Sequence, residues 1–158
     1  MTLSTLELEL AAISASIAAG CIPCSKYHIL EAGKHGASDG EVARAVDAGG
    51  TLTSASLQNI WCRFTPEMEP LNRTESVGIA DRQALLCAVG TAIANNDVTS
   101  LRSHLQRLGE FDVGDCEAMA VIGLAERIKE KAASHLEPVI DTLSADRRVA
   151  REAARLCT

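Results

Sequence analysis

Residues 3–34 read LSTLELELAAISASIAAGCIPCSKYHILEAGK, and the periodicity of this stretch predicts a pair of helices joined by a tight turn. Leu3, Leu6, Leu10, Ile13 and Ile17 recur at three- and four-residue steps, which is the spacing of one helix face. Ser4-Thr5-Leu6-Glu7 has the form of a capping box, so the first helix is expected from about Ser4 to Ala19. Gly20 stops it. A second helix is expected from Ile22 to about Lys34, entered through Pro23, because proline is tolerated in a first turn where its missing N–H has no intrahelical partner. Gly33 and Gly36 end that helix.

Working outward, Ser38-Asp39-Gly40-Glu41 is another capping box, opening a helix that should run to Ala48 and stop at Gly49-Gly50. A further helix is expected over Ser54–Arg63. Residues 65–75 hold Pro66 and Pro70 among polar neighbours and read as a linker. Helices then resume over Ser76–Ala94, Val98–Leu108, Asp115–Leu136 and Ser144–Leu156, with Pro138 forcing a break or kink. No alternating segment is long enough to predict a strand, so the fold class is all-α. An offset of 76 residues pairs Ala12 with Ala88, Ile17 with Ile93, Ala18 with Ala94 and His28 with His104. It also pairs Gly33 with Gly109, Asp39 with Asp115 and Glu41 with Glu117. The chain therefore divides into a first unit over 1–64, the linker over 65–75 and a second, duplicated unit over 76–158, packed together as one domain.

Composition limits the function. The chain has 158 residues, 25 of them alanine, with 3% aromatics and a formal charge of −6. That charge has the wrong sign for phosphate backbones or anionic lipid, so neither nucleic acid nor a membrane is an expected partner. The longest run without Asp, Glu, Lys or Arg, Leu10 to Ser25, is too short and too interrupted to span a bilayer. Glu7 and Glu9 precede any basic residue, against a signal peptide, and a cytoplasmic location with mostly reduced thiols follows. Cys62, Cys87, Cys116 and Cys157 stand alone and read as small buried or terminal residues.

Cys21 and Cys24 are different, because they sit one turn apart at the mouth of the second helix with His28 four residues further along the same face. A helix N-terminus favours thiolate over thiol, and two cysteines at this spacing can close a disulfide. The arrangement suits one thiol that attacks and one that resolves. In an antiparallel hairpin turning at Gly20, Glu9 lies about 16 Å back and His28 roughly 10–12 Å along the return helix, at 1.5 Å per residue. Glu9 is therefore expected to meet the imidazole rather than either sulfur, giving a nucleophile, a base and a group that orients it.

The pattern Glu9, Cys21, Cys24 and His28 inside a helical hairpin resembles the AhpD-like alkylhydroperoxidase branch of the carboxymuconolactone decarboxylase family, with the close match over about residues 5–50. The resemblance implies an all-α, commonly oligomeric protein of two tandem repeats that reduces hydroperoxides through a cysteine pair recycled by a dithiol or a disulfide reductase. It makes Cys24 the attacking thiol, Cys21 the resolving thiol, His28 the base and Glu9 its partner, and it implies no cofactor. Helix-terminus exposure alone instead favours Cys21 as the more accessible thiol.

Two departures stand out. The best-known peroxidase members carry a histidine between the cysteines, where this chain has Pro23. In the second unit Glu9, Cys21 and Cys24 correspond to Leu85, Asp97 and Ser100, so only His104 is kept and that half is expected to be silent. The alternative readings are a non-catalytic redox-sensing or assembly protein and a decarboxylase-like lyase. Zinc is disfavoured because no second ligand pair has the right spacing. His104 reads as a satisfied core or surface histidine, and His35 and His135 as solvent-exposed.

Overall fold

The computed structural model describes the backbone of residues 2–64 and 79–156, and the side chains of residues 2–58 and 79–144. Six α-helices and one 3₁₀ turn, with no strand among the described residues, follow in the order α1 (Thr5–Ala18), α2 (Ile22–Lys34), α3 (Asp39–Phe64), α4 (Arg82–Ala94), α5 (Val98–Gln106), the 3₁₀ turn (Leu108–Phe111) and α6 (Asp115–Leu156). The fold is the all-α bundle expected from the sequence. No helix among the described residues is long and apolar enough to cross a membrane.

The N-terminal hairpin forms as its sequence dictates. Ser4 caps α1 in a reciprocal capping box with Glu7, and α2 begins with Pro23 in its first turn and Cys21 as its cap. Gly20 takes φ 65°, a left-handed conformation that costs glycine nothing and lets the chain reverse. The second half repeats this construction 76 residues later. Asn96 (φ 55°) stands where Gly20 does, and Asp112 (φ 54°) where Gly36 (φ 88°) does; Asn and Asp tolerate this region better than other side chains. Asp97 caps α5 by accepting from the Ser100 amide, just as the Cys21 sulfur accepts from the Cys24 amide. Glu117 reaches back to the Gly114 amide as Glu41 does to Ser38.

Small residues allow the two halves to merge. α1 and α4 meet where Gly90 lies against Ala11 and Ala15, with Ser14 and Thr91 hydrogen-bonded at 2.9 Å in the buried interface. Leu85, Leu86 and Val89 of α4 pack with Ala11 and Val121, while Leu10 and Ile13 pack under Ala32 and Ala45. Arg82 ties three helices: its Nε donates to Glu7 at 2.7 Å and an Nη to Glu117 at 2.9 Å.

Four expectations are corrected. Gly49-Gly50 does not end a helix, and α3 runs unbroken from Asp39 to Phe64. A Cβ at Gly49 would lie 2.6 Å from the Ser14 carbonyl oxygen, so glycine is there to let α3 approach α1. Pro138 neither breaks α6 nor separates two helices, since α6 continues through it to Leu156. Residues 136, 139, 140 and 143 around it are exposed, so the helix carries the proline on a stretch that faces solvent. Leu108 opens a 3₁₀ turn instead of closing α5. The fourth helix starts at Arg82 with Asp81 as its cap. The linker expected over 65–75 and the first residues of the helix expected from Ser76 lie outside the described residues.

Candidate functional site

The cysteine pair lies where the α1–α2 turn meets α6. Gly20 reverses the chain, the Cys21 amide donates to the Ser16 carbonyl at 3.0 Å, and Cys21 is thereby held at the α2 cap. Its sulfur accepts from the Cys24 amide at 3.3 Å. Cys21 and Cys24 are joined as a disulfide with Cα atoms 5.3 Å apart, and both are buried against Ala12, Ala15, Ala125 and Ile128. Residues three apart at a helix start lie close enough for that bond without unwinding the turn.

One turn beyond Cys24, the imidazole of His28 holds Glu9 through Nδ1 at 2.7 Å. This is the contact expected from counting rise along the hairpin. An ionised carboxylate only accepts, so Nδ1 carries the hydrogen and Nε2 is the proton-accepting nitrogen. The Tyr27 ring meets the His28 ring edge-on with centroids 5.0 Å apart, which helps fix the ring plane.

His135 was expected to face solvent only. Its Nδ1 instead lies 3.3 Å from the Cys21 sulfur and 4.0 Å from that of Cys24. The signal was present as the spacing Arg127, Lys131, His135 on one face of α6, yet nothing in a sequence tells which face of a helix will meet a turn more than one hundred residues away. His104 also departs from expectation. Its buried Nδ1 has no partner among the described residues, and burial lowers its pKa with help from Arg107. The residue matching Glu9 in that half is Leu85, fully buried, so the imidazole has kept its place and lost its carboxylate.

Two cavities flank the disulfide. The first, about 460 Å³, is lined by Cys24, His28 and Tyr27 from α2 and by Ile128, Lys131 and His135 among others from α6. The second, about 400 Å³, is lined by Gly20, Cys21 and Ile22 and by Ala132, His135 and Leu136 among others. Pro23 and His135 border both. Each sulfur thus has its own approach, and both volumes fall in the range of small-molecule sites.

The two sulfurs and a His135 nitrogen form a three-donor group whose atoms all lie within 4.8 Å of one another. Two thiolates and an imidazole fit a tetrahedral zinc ion with one open position, whereas the bonded sulfurs do not. The remaining described cysteines are unlike the pair. Cys87 is buried, and desolvation pushes its thiol up to about 11; Cys116 is exposed rather than buried. The side chains of Cys62 and Cys157 lie outside the described residues.

In comparison with known proteins, residues 2–58 match the family described as "Carboxymuconolactone decarboxylase family". Over those residues, about a third of its length, the chain is similar to the carboxymuconolactone decarboxylase family. That segment holds Glu9, Cys21, Cys24 and His28, and the family is the one containing the AhpD-like proteins. Its match ends before α4, so the contribution of α6 to the site, His135 above all, belongs to the part of the chain outside the family match. No curated protein and no solved structure matches the chain.

Proposed function

We propose that the protein is a thiol-dependent hydroperoxide reductase of the AhpD-like type. The observation that carries this reading is that Cys24, bonded to Cys21, opens onto the same cavity as an imidazole held by Glu9 at 2.7 Å. In the reduced protein His28 takes the Cys24 proton, directly or through water. The thiolate attacks the distal peroxide oxygen, an S–O bond forms as the O–O bond breaks, and the alkoxide leaves as the alcohol after taking a proton. The Cys21 thiolate then attacks the sulfenic sulfur and expels hydroxide, which leaves as water, giving the Cys21–Cys24 disulfide. An external dithiol reduces that disulfide, becoming a disulfide itself and returning both thiols.

The choice of Cys24 as the attacking thiol rests on the cavity it shares with His28. In this reading Cys21, the α2 cap beside His135, takes the resolving role and meets the reductant. His135 supplies an imidazole at the pair where Pro23 leaves the intervening position empty of one. The reading carries a hydroperoxide, a dithiol or disulfide-reductase donor and further copies of this chain as partners. The exposed apolar residues Leu136, Val139, Ile140 and Leu143 of α6 support self-association, which the solution mass tests.

Hydroperoxide turnover with dithiothreitol as donor should vanish in Cys24→Ser and fall by at least about 10²-fold in Cys21→Ser, the scale of a lost covalent partner. Unchanged rates in both variants would overturn the reading. The three-donor group favours a second reading, a zinc-thiolate centre, in which reduced protein would retain zinc stoichiometrically and lose it in His135→Ala. Zinc well below one equivalent per chain would dismiss it.

A further inference from the structure

The first cavity carries a charge distribution that the proposed chemistry does not need. The chain as a whole is acidic, at −6, yet no carboxylate lines this cavity. Arg127 and Lys131 do, one helical turn apart, with His135 a further turn on. Like charges at this spacing destabilise a helix, so stability gives no reason for the stripe. Among the described residues no carboxylate pairs with either cation, whereas Arg82 and Arg107 are both paired. The remaining walls, Pro23, Tyr27, Leu124 and Ile128, are mostly apolar.

We infer that this cavity binds an aliphatic hydroperoxide bearing a carboxylate, with the carboxylate on Arg127 and Lys131 and the peroxide at Cys24. The inference rests on the proposed peroxidase reading and adds the substrate class. Along α6 the two cations stand about 12 Å and 6 Å from His135, which touches the sulfurs, at 1.5 Å rise per residue. A substrate with its charge at the far end of a hydrocarbon chain spans that interval, burying the chain against Leu124 and Ile128. A guanidinium and an ammonium, both exposed at the cavity rim, recognise such a carboxylate by charge-assisted hydrogen bonds.

The test compares a medium-chain aliphatic hydroperoxide ending in a carboxylate with its methyl ester, as oxidants of pre-reduced protein in single turnover, so that the reductant plays no part. The acid should react about tenfold faster or more, the scale of one charge-assisted contact. Added salt should erode the difference. In the Arg127→Gln, Lys131→Gln double variant the acid-to-ester ratio should approach one, and in the charge-keeping Arg127→Lys, Lys131→Arg pair it should survive. Equal rates for acid and ester, or a ratio that persists in the Gln variant, would overturn the inference. A second probe does not need peroxidase activity: alkylation of Cys24 by a medium-chain ω-iodoalkanoate relative to its primary amide, followed by peptide mass spectrometry and referenced to the unfolded protein. A raised acid-to-amide ratio lost in the Gln variant, with no hydroperoxide reduced, would keep the anion site and reject the peroxidase. Hydroperoxide turnover with no preference for the anion in either assay would do the reverse.

Discussion

The Glu9–His28 pair shows how much one contact can be asked to do. Glu9 leaves Nε2 of His28 as the basic nitrogen and fixes the ring against Tyr27. His28→Ala should therefore lower kcat/KM for hydroperoxide by on the order of 10²-fold, the usual contribution of a general base. Glu9→Gln retains an acceptor but no charge and should cost less, about tenfold, while shifting the pH profile; a flat profile identical to that of the unsubstituted protein would remove Glu9 from the mechanism. The other thiols provide an internal control. Burial holds Cys87 protonated through neutral pH, with its pKa pushed up to about 11, so it should resist alkylation in the folded protein. Exposed Cys116 should react at an ordinary rate. Rapid labelling of Cys87 would mean that α4 opens readily.

At the scale of elements, Gly49 and Gly50 make a paired experiment. Alanine at Gly49 would drive a Cβ to 2.6 Å from the backbone oxygen of Ser14, and backbone cannot swing aside as a side-chain tip can. Gly49→Ala should destabilise by about 1–3 kcal/mol, the cost of overpacking, despite alanine's better helix propensity. Gly50→Ala meets nothing within 4 Å and should stabilise by up to about 1 kcal/mol. Chemical denaturation of both variants reads the contrast, and equal effects would show that α3 does not seat on α1 through Gly49. The glycine pair looks like a helix stop in the sequence because propensity acts locally. Within α3 the close approach to α1 outweighs that local preference.

At the scale of the whole molecule, Arg82 joins α1, α4 and α6 through Glu7 and Glu117. Burial would raise the Glu7 carboxyl, but hydrogen bonds from Ser4 and Arg82 outweigh it and hold the pKa below the ordinary carboxylate value. Bonds from the Gly114 amide and Arg82 lower Glu117 in the same way. Because both are depressed in the folded state, their stabilisation is complete above the unfolded carboxylate pKa and is lost as pH falls through the folded values. Thermal unfolding should show a falling midpoint below about pH 4.3, the ordinary glutamate value. Arg82→Met should flatten that limb, and an unchanged acid limb would show that the network does not link the halves. Opening the Cys21–Cys24 bond should cost little by comparison. Its closed loop is short, and the chain-entropy relation gives roughly 2 kcal/mol, so the reduced protein should stay folded.

By itself the sequence determined the features that depend on neighbours along the chain. These are the helices α1 and α2 with their shared turn, the capping boxes at Ser4 and Ser38, the 76-residue recurrence and the meeting of Glu9 with His28 across a hairpin of known rise. Each follows from local hydrogen bonding, backbone conformation or a short antiparallel return. Tertiary structure alone decided that α3 passes through Gly49, that α6 continues past Pro138, and that His135, Arg127 and Lys131 come to the cysteine pair. Those outcomes depend on which faces of distant helices fit closest, and packing at that range is set by the shapes of all the side chains at once rather than by any spacing along the chain.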